Sequence, residues 1–456
     1  MNINESIMSV ADFGVVPNSE TLQTKAFQDA LDKVFLAGGG KLVIPAGKYR
    51  IGGVRIRSNT TLYLCSGAEI YASRDPEDYS CIKNDTVEPL PPKYHTDVLW
   101  TNARTPNRDV SFIRLAGSRW NNAIIRAAFA ENVSIIGEKG SVIDGCNTYD
   151  EIGEEHYRGP HGINMHYCKN IHFEGYTIRN TGNWAHCMQN SSFLSWNNIT
   201  VEGGHDGIHN RGNHDITIEN CEFYVGDDCV AGFGNYNVTV RNCVMNTACS
   251  GMRLGGTDIL VENCHFYGPC KYLFRGSLSK EEKMDGAMSS ATGRNNMLSM
   301  FTYYADKTVN IPKQPENIVI RNCTVENCDR FIHYNFSGNE IWQLAAPLKS
   351  LYLENIKAKG IHMPLTAYGS SELPLTLKMK DIDISFADEI ETQSFMHIAH
   401  IERLELENVK VEREGKGPFI RSWSHGGETV FNNVQSSTGE GVEVTFTEEE
   451  FKCRAI

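Results

Sequence analysis

A short pattern of residues recurs through the middle of the chain, and it restricts the fold more than any other feature. Its copies start near residues 199, 216, 238 and 259 with alternating apolar side chains. Such alternation predicts short, half-buried strands that end in turns. Three copies also carry an Asn-Cys pair, at Asn220-Cys221, Asn242-Cys243 and Asn263-Cys264. The pairs are 22 and then 21 residues apart, and a repeat of this length predicts coils that stack into a solenoid.

The pattern continues on both sides of this region, so we predict an all-β chain that forms one domain over residues 1–456. Further coils are expected at 132–145, 170–180 and 317–328. Residues 1–60 are predicted to form the first coils and an N-terminal capping helix. One face of this helix is apolar and consists of Ala26, Phe27, Ala30, Leu31 and Val34. Such a helix would close the exposed end of the solenoid.

Two long stretches, 80–128 and 277–314, lack a clean repeat and are predicted insertions. Long loops on a rigid scaffold commonly carry function or make contacts. Each insertion is therefore predicted to be either a wall or lid of a cleft, or a contact in a homo-oligomer.

Acidic side chains stand where the copies of the repeat differ. Asp206 and Asp228 are 22 residues apart, so stacked coils would place one above the other at about 4.8 Å, the spacing of neighbouring strands. Asp227 would lie beside them. Like charges at this distance repel and raise each other's pKa, so folding alone does not favour the arrangement. We predict a functional site in an open trough, although Asp is also common in surface turns.

Two motifs around these carboxylates resemble a known family. "HDG" at 205–207 and "GDDCVA" at 226–231 are similar to motifs of the polygalacturonase family, glycoside hydrolase family 28. The resemblance implies a right-handed parallel β-helix and a glycosidase that inverts the anomeric centre. It implies that Asp227 is the general acid, while Asp206 and Asp228 hold and deprotonate the water. The implied substrates are α-linked, pectin-derived oligosaccharides, and exo action is predicted because the two insertions could block one end of the groove.

Other family motifs are altered in this chain. Gly204-His205 stand where the family has Asn-Thr, and Ser250 stands where it has a histidine that steadies the carboxylates. His205 and His209 are candidates to replace that histidine, or they are outward-facing side chains without a role.

Further candidates concern substrate binding. Arg275 matches the family's arginine that grips a uronate carboxylate, but the accompanying lysine is absent. Arg253, Arg211 and Lys271 are alternative clamps, or simply solvated charges. Trp184 and His186, with Arg158, resemble positions near the sugar-binding groove. Trp184 offers either a flat face for a sugar ring or packing at a coil corner.

Charge and composition exclude some classes of function. A formal net charge of −13 argues against a nucleic-acid partner. The chain contains no run of 18 apolar residues, so we predict no membrane span. The first ten residues lack the basic and apolar regions of a secretory signal, so none is predicted in this sequence. The 14 cysteines have no zinc-type spacing and are predicted to be buried free thiols. We predict a cytoplasmic protein, or a secreted one if a signal peptide was removed, without a metal or another cofactor.

Two other functions stay open at this stage. The first is a Ca²⁺-dependent lyase or epimerase acting on uronates, in which the aspartates bind the ion and Arg253 abstracts a proton. The second is a solenoid that binds carbohydrate without catalysis.

Overall fold

The computed structural model describes residues 6–79, 119–285, 296–306, 311–338, 340–387, 394–414, 417–439 and 441–448. Two compact units make up the chain. The first unit comprises 1–225 and 272–293, and the second unit comprises 226–271 and 294–456. The helices are α1 Thr24–Leu36 and α2 Lys280–Asp285. Both units consist mainly of β-strands.

The strands of the first unit are β1 Ile7–Ser9, β2 Gly40–Ile44, β3 Gly47–Ile51, β4 Val54–Arg55, β5 Thr60–Leu64, β6 Ala68–Ala72, β7 Ala123–Ala128, β8 Glu131–Gly137, β9 Val142–Asp144, β10 His161–His166, β11 Lys169–Glu174, β12 Thr177–Arg179, β13 His186–Gln189, β14 Ser192–Asn197, β15 Thr200–Gly203, β16 Ile208–Arg211, β17 His214–Glu219 and β18 Glu222–Val225.

The strands of the second unit are β19 Val230–Arg241, β20 Val244–Thr247, β21 Ser250–Glu262, β22 His265–Tyr267, β23 Met297–Tyr303, β24 Glu316–Asn335, β25 Ser350–Met363, β26 Leu365–Tyr368, β27 Leu375–Phe386, β28 Met396–Ala399, β29 Ile401–Glu412, β30 Ile420–Ser422, β31 Glu428–Ser436 and β32 Val444–Phe446.

Each coil of the first unit contributes strands to three parallel sheets. One sheet contains β4, β7, β10, β13 and β16, each paired in parallel with the next. A second runs from β1 and β2 through β5, β8, β11, β14 and β17. The third contains β3, β6, β9, β12, β15 and β18. Every strand therefore pairs with the equivalent strand of a neighbouring coil, which is the arrangement of a parallel β-helix.

The second unit has the same construction with longer strands that continue around the corners of the coil. The 20-residue strand β24 pairs in parallel with β21, β22 and β23 on one side, and with β25 and β26 on the other. The stack then continues through β27, β29 and β31 on one face and through β28, β30 and β32 on another. The predicted fold class, a right-handed parallel β-helix with an N-terminal capping helix, is confirmed.

The pairing register agrees with the repeat that was found in the sequence. Leu194 pairs with Ile216, 22 residues later, and Val238 pairs with Ile259, 21 residues later. All four side chains are buried. Because equivalent apolar residues lie above one another, they form continuous columns inside the coil. Burying each such side chain contributes about 1.5–3 kcal/mol, so these columns are a main source of stability.

Asparagine closes the turns because it tolerates a left-handed backbone. Asn242, Asn263, Asn322 and Asn355 all have φ between 49° and 55°, a region that most residues with a Cβ avoid. Their side-chain amides also bond to one another within the second unit. Asn263 donates to Asn242 at 3.4 Å, and Asn355 donates to Asn322 at 2.8 Å. The recurring asparagine of the sequence is thus explained by turn conformation and by this ladder of amides.

The cysteines after these asparagines point inward, as predicted. Cys221, Cys243, Cys264 and Cys323 are buried, and the thiol of Cys264 contacts those of Cys243 and Cys323. Every cysteine in the described ranges is a free thiol. Also within those ranges, no helix is long and apolar enough to cross a membrane.

Helix α1 attaches to the first coil, as the apolar face of its sequence predicted. Phe27, Ala30, Leu31 and Val34 are buried. Gln28 of the same helix exchanges hydrogen bonds of 3.0 Å and 2.7 Å with the backbone of Arg55 in β4.

Parts of the two predicted insertions, 80–128 and 277–314, belong to the regular stack of strands. Residues 123–128 form β7 and residues 297–303 form β23, and both strands belong to the stack. They were missed because nearly all their side chains are buried, so the sequence lacks the alternation that marks a half-buried strand. Residues 80–118, 286–295 and 307–310 lie outside the described residues, so the predicted role of the insertions and the single-domain organisation stay predictions.

The asparagine turns allow a test at Asn322, which is exposed and has φ 55°. We expect Asn322→Ala to be less stable than Asn322→Gly by about 1 kcal/mol, because alanine is strained in this region and glycine is not. Both variants lose the contact with Asn355, so the difference isolates the backbone effect. Thermal unfolding midpoints measure it, and an alanine variant as stable as the glycine variant would contradict this explanation.

Candidate active site

The first part of the candidate site is the loop between β15 and β16, which carries Asp206. Its first residue, Gly204, packs closely against the segment that follows residue 272. A Cβ at Gly204 would lie 2.7 Å from the Cβ of Arg275, and the Gly204 carbonyl accepts a hydrogen bond from the Arg275 N–H at 2.9 Å. Only glycine permits this approach without a shift of the backbone. The departure from the family's asparagine therefore has a structural reason.

Asp206 is buried, and its carboxylate is held by histidine. Nδ1 of His209 lies 2.5 Å from Oδ2 of Asp206, and the Nε of Arg211 donates to Nε2 of His209 at 2.9 Å. The ring of His209 is stacked on Trp184 with 3.6 Å between the ring centroids. The expectation that Asp206 faces an open trough is therefore wrong, since the side chain is only 3% exposed. The structure does bring the predicted residues His209, Arg211 and Trp184 together around it.

Trp184 and Arg211 have a packed environment. His209 covers one face of Trp184, Trp120 contacts it edge-on at 4.9 Å, and the Arg211 guanidinium lies 5.0 Å from its ring centroid. Trp184 is buried, so it does not present a flat face to a sugar ring, and packing was the correct alternative. Arg211 is also buried, which excludes the alternative of a solvated charge. Its guanidinium binds His209.

His205 directly precedes Asp206 in the chain and is also held by an arginine. It is buried, its Nδ1 accepts a hydrogen bond from Nη1 of Arg158 at 2.9 Å, and its ring stacks on Tyr157 with 6.0 Å between centroids. Burial, reinforced by the charge of Arg158, lowers the pKa of His205 well below 6.5, so the imidazole is neutral. His205 is therefore not an outward-facing histidine.

Two residues predicted to bind substrate are instead part of the scaffold. His186 is fully buried in a column with Ile163 and Ile208, and its ring nitrogens contact the Tyr176 hydroxyl at 2.8 Å and the Gly207 carbonyl at 3.3 Å. Burial lowers its pKa to about 3. The 22-residue repeat could have revealed this error, because position 186 falls 22 residues before an interior isoleucine.

Arg275 is also fully buried. Its guanidinium donates to the carbonyls of Gly182, Asn147 and Lys283 at 3.1, 2.6 and 2.9 Å. It ties three backbone segments together and cannot grip a substrate carboxylate from this position. The substrate-binding predictions for His186 and Arg275 are wrong.

The second part of the candidate site precedes β19 and carries Asp227 and Asp228. Asp227 is half-buried and Asp228 is buried. The Ser250 N–H donates to Oδ1 of Asp228 at 3.0 Å, and Nη1 of Arg253 lies 3.5 Å from its Oδ2. Burial and then the charge of Asp227 raise the pKa of Asp228 to about 6, against the opposing effects of Arg253 and Ser250. Asp228 can therefore exchange a proton near neutral pH.

Arg253 has an aromatic setting that the sequence did not indicate. Its guanidinium lies 4.3 Å from the ring centroid of Tyr304 and 5.3 Å from that of Trp342. Cation–π contacts and the ion pair with Asp228 hold the guanidinium in one place. Tyr304 and Trp342 are 51 and 89 residues further along the chain and belong to no motif, so no local signal could have identified them.

Ser250, at the position of the missing histidine, supplies its backbone N–H to Asp228, and its hydroxyl contacts that of Thr302 at 3.1 Å. Asp206 belongs to the first unit and Asp228 to the second. Their approach stays a prediction that rests on the 22-residue spacing.

The raised pKa of Asp228 makes stability depend on pH. The pKa is higher in the folded chain than the ordinary 3.8, so the stabilisation is fully present below about pH 4 and is lost as the pH rises through about 6. Asp228→Asn removes this titration. We expect the difference in free energy of unfolding between the variant and the unmodified chain to shift in favour of the variant by on the order of 2–3 kcal/mol as the pH rises from 4 to 7.5.

Unfolding curves at several pH values measure this gain. Asp383→Asn on β27 is the matched control, because Asp383 is exposed and should show no such gain. If the stabilities of Asp228→Asn and the unmodified chain change in parallel with pH, Asp228 does not titrate as described.

Comparison with known proteins supports the resemblance seen in the motifs. Residues 112–257 match the sequence profile of glycosyl hydrolases family 28. A probable polygalacturonase from Vitis vinifera is 30% identical over 234 residues, which cover 49% of this chain and 43% of that protein. The chain thus spans less than half the length of this relative.

Two solved structures share the fold. A hyperthermoactive exopolygalacturonase from Thermotoga maritima has a TM-score of 0.64 at 18% identity, covering 89% of this chain and 91% of that one. A family 28 exopolygalacturonase from Yersinia enterocolitica has a TM-score of 0.54 at 15% identity, covering 97% and 77%. At these identities the likeness shows the fold alone. The matched segment contains both carboxylate motifs and the coil of Ser250 and Arg253, so the recognition of glycoside hydrolase family 28 is confirmed for residues 112–257 of this chain.

Proposed function

We propose that this protein is a glycosidase that hydrolyses α-linked oligosaccharides derived from pectin. The observation that carries the proposal is the pair Asp227 and Asp228 within the segment that matches the family. One carboxyl group is accessible, and the other has a pKa near neutral pH. Hydrolysis of a glycosidic bond needs a proton donor and a base on opposite sides of the bond, and paired carboxyl groups can supply both.

The proposed roles follow the accessibility and the contacts of each carboxyl group. Asp227, the more accessible, protonates the leaving oxygen. Asp228, held by the Ser250 N–H and by Arg253, is ionised above about pH 6 and takes a proton from the attacking water. Asp206, held by His209, shares in orienting that water. A water that attacks from the face opposite the leaving group inverts the anomeric centre.

The finer properties of the substrate are also proposals. The name of the Vitis vinifera relative favours galacturonate chains, and Arg253 is the candidate that meets a substrate carboxylate, because Arg275 is committed to the scaffold. We propose exo action on short oligomers.

The buried free thiols are compatible with a reducing compartment, so we propose a cytoplasmic location and imported oligomers as substrates. A contact between two copies of the chain stays a proposal for the insertions.

Replacing the proposed acid tests the reaction. We expect Asp227→Asn to lower kcat about 10²–10⁴-fold on oligogalacturonides, because general acid catalysis contributes on that scale. Asp383→Asn is the control and should keep full activity. Reducing-end groups released from oligogalacturonides and from neutral-sugar oligomers give the rates and identify the sugar.

The products discriminate among the alternatives. Proton NMR of the first turnovers should show the anomer opposite to that of the substrate, and an end-labelled oligomer should shorten one residue at a time from its unlabelled end. A random ladder of internal cuts would overturn exo action. An unsaturated, ultraviolet-absorbing product that a chelator abolishes would indicate a lyase, and full activity in Asp227→Asn would rule out the proposed acid.

A further inference from the structure

Asp206 stands between two histidines in the sequence, and each histidine is bound by a different arginine. His205 directly precedes Asp206 and accepts a hydrogen bond from Arg158, while His209 follows three residues later and accepts one from Arg211. An arginine guanidinium has donors only and does not lose its proton in proteins. Each arginine therefore decides which nitrogen of its histidine carries a proton.

Arg211 places the proton of His209 on Nδ1. Its Nε–H points at Nε2 of His209 at 2.9 Å, so Nε2 must be an unprotonated acceptor. The single proton of the neutral ring then lies on Nδ1, which is 2.5 Å from Oδ2 of Asp206. This N–H donates to the carboxylate and favours its ionised form. The stacking of Trp184 on the ring, with an interplanar angle of 6°, prevents the imidazole from turning away.

Arg158 has the opposite effect on His205. Its Nη1 donates to Nδ1 of His205 at 2.9 Å, so the proton of this neutral ring lies on Nε2. Among the described residues, Nε2 makes no well-formed hydrogen bond although His205 is only 2% exposed, and the ring has only a looser contact with the Gly182 carbonyl. A buried N–H donor without a well-placed acceptor is costly and rare in native proteins. A ligand oxygen at this position would satisfy it.

Arg158 is itself held in place, so this tautomer is built into the fold. Its Nη1 also contacts Oδ1 of Asn183 at 3.2 Å, and its Nε pairs with Glu155 at 3.0 Å. The ring of Tyr157 stacks on that of His205, with 6.0 Å between the ring centroids. His205 is therefore presented in one orientation before any substrate binds.

We propose that the two arginines hold His205 and His209 in opposite tautomers, which assigns His209 to Asp206 and His205 to an oxygen of the bound sugar. The role in hydrolysis rests on the proposed function, whereas the tautomers do not. His209 is a positioning residue that keeps Asp206 ionised and oriented. His205 is a substrate-binding residue whose Nε2–H takes a hydroxyl or carboxylate oxygen next to Asp206. Together they replace the histidine that is absent at Ser250, with His205 in the loop between β15 and β16 and His209 on β16.

Nitrogen NMR of the full chain with ¹⁵N-labelled histidine tests the tautomers without reference to activity. His205→Gln and His209→Asn remove and so identify the two ring signals. We expect His209 to be neutral with its proton on Nδ1 and His205 to be neutral with its proton on Nε2. Arg211→Met should allow both tautomers of His209 and leave His205 unchanged. Arg158→Met should allow both tautomers of His205 and leave His209 unchanged. A charged His209, equal tautomers in both rings, or no effect of either arginine would overturn the proposal.

Matched substitutions test what each ring contributes. An asparagine amide can place a donor where Nδ1 of histidine lies, and a glutamine amide can reach the position of Nε2. We expect His209→Asn to retain kcat within about 5-fold, while His209→Leu loses about 10²-fold with little change in KM. We expect His205→Gln to retain KM, while His205→Leu raises it about 10-fold. Equal effects of the two variants at either position would overturn the assigned role.

A binding measurement separates this inference from the proposed reaction. Trigalacturonate and a neutral galactose trimer are each added to the labelled Asp227→Asn variant. A shift of the His205 Nε2 signal with either sugar supports the site, and a shift with trigalacturonate alone identifies the acceptor as a carboxylate. No shift at saturating concentrations of either sugar overturns the ligand role of His205. If the sugars bind as expected but the unmodified chain cleaves neither, the proposed function fails and the binding site stands.

Discussion

Backbone hydrogen bonding between consecutive coils determines where every functional side chain lies. Parallel pairing places each residue beside its equivalent in the next coil, as Cys187 beside His209 in the first unit and Ala231 beside Arg253 in the second. A change of one residue in the register would turn inward-facing side chains outward. The positions of His209 and Arg253 are thus properties of the stack rather than of their own short strands.

The charged groups of the candidate site are buried, and this changes how they can act. Asp206 and Asp228 are each held by a specific donor, His209 and the Ser250 N–H respectively. A carboxylate in such surroundings has little solvent to stabilise it, so its partners determine its protonation. Arginine is well suited to this task because it stays charged when buried. The chain uses Arg211, Arg158 and Arg253 in this way, and each one is held by an aromatic ring or by an ion pair.

Much of the fold could be predicted from the sequence, because the repeat, the asparagine turns and the inward cysteines all arise from local conformation and apolar periodicity. The loops with Asp206 and with Asp227–Asp228 were also visible as motifs. The motif match did not reveal that Arg275 is buried, since it identifies a coil position but not the direction of its side chain. For His186 the 22-residue repeat did carry the signal, because it aligns this position with the interior Ile208. Nor could the sequence reveal the aromatic partners of Arg253, Tyr304 and Trp342, which lie far away along the chain and follow no pattern.

The pairing of Ile259 in β21 with Ile318 in β24 shows where the chain can change in length. These residues pair directly although 59 positions separate them, so a long excursion at a corner leaves the following coils in phase. Between β19 and β21, a difference of one residue is absorbed by a local shift in register between Gly232 and Asn235. Longer changes that preserve the site are expected at the corners or in whole turns, so a foreign segment could be grafted at a corner without moving the carboxylates.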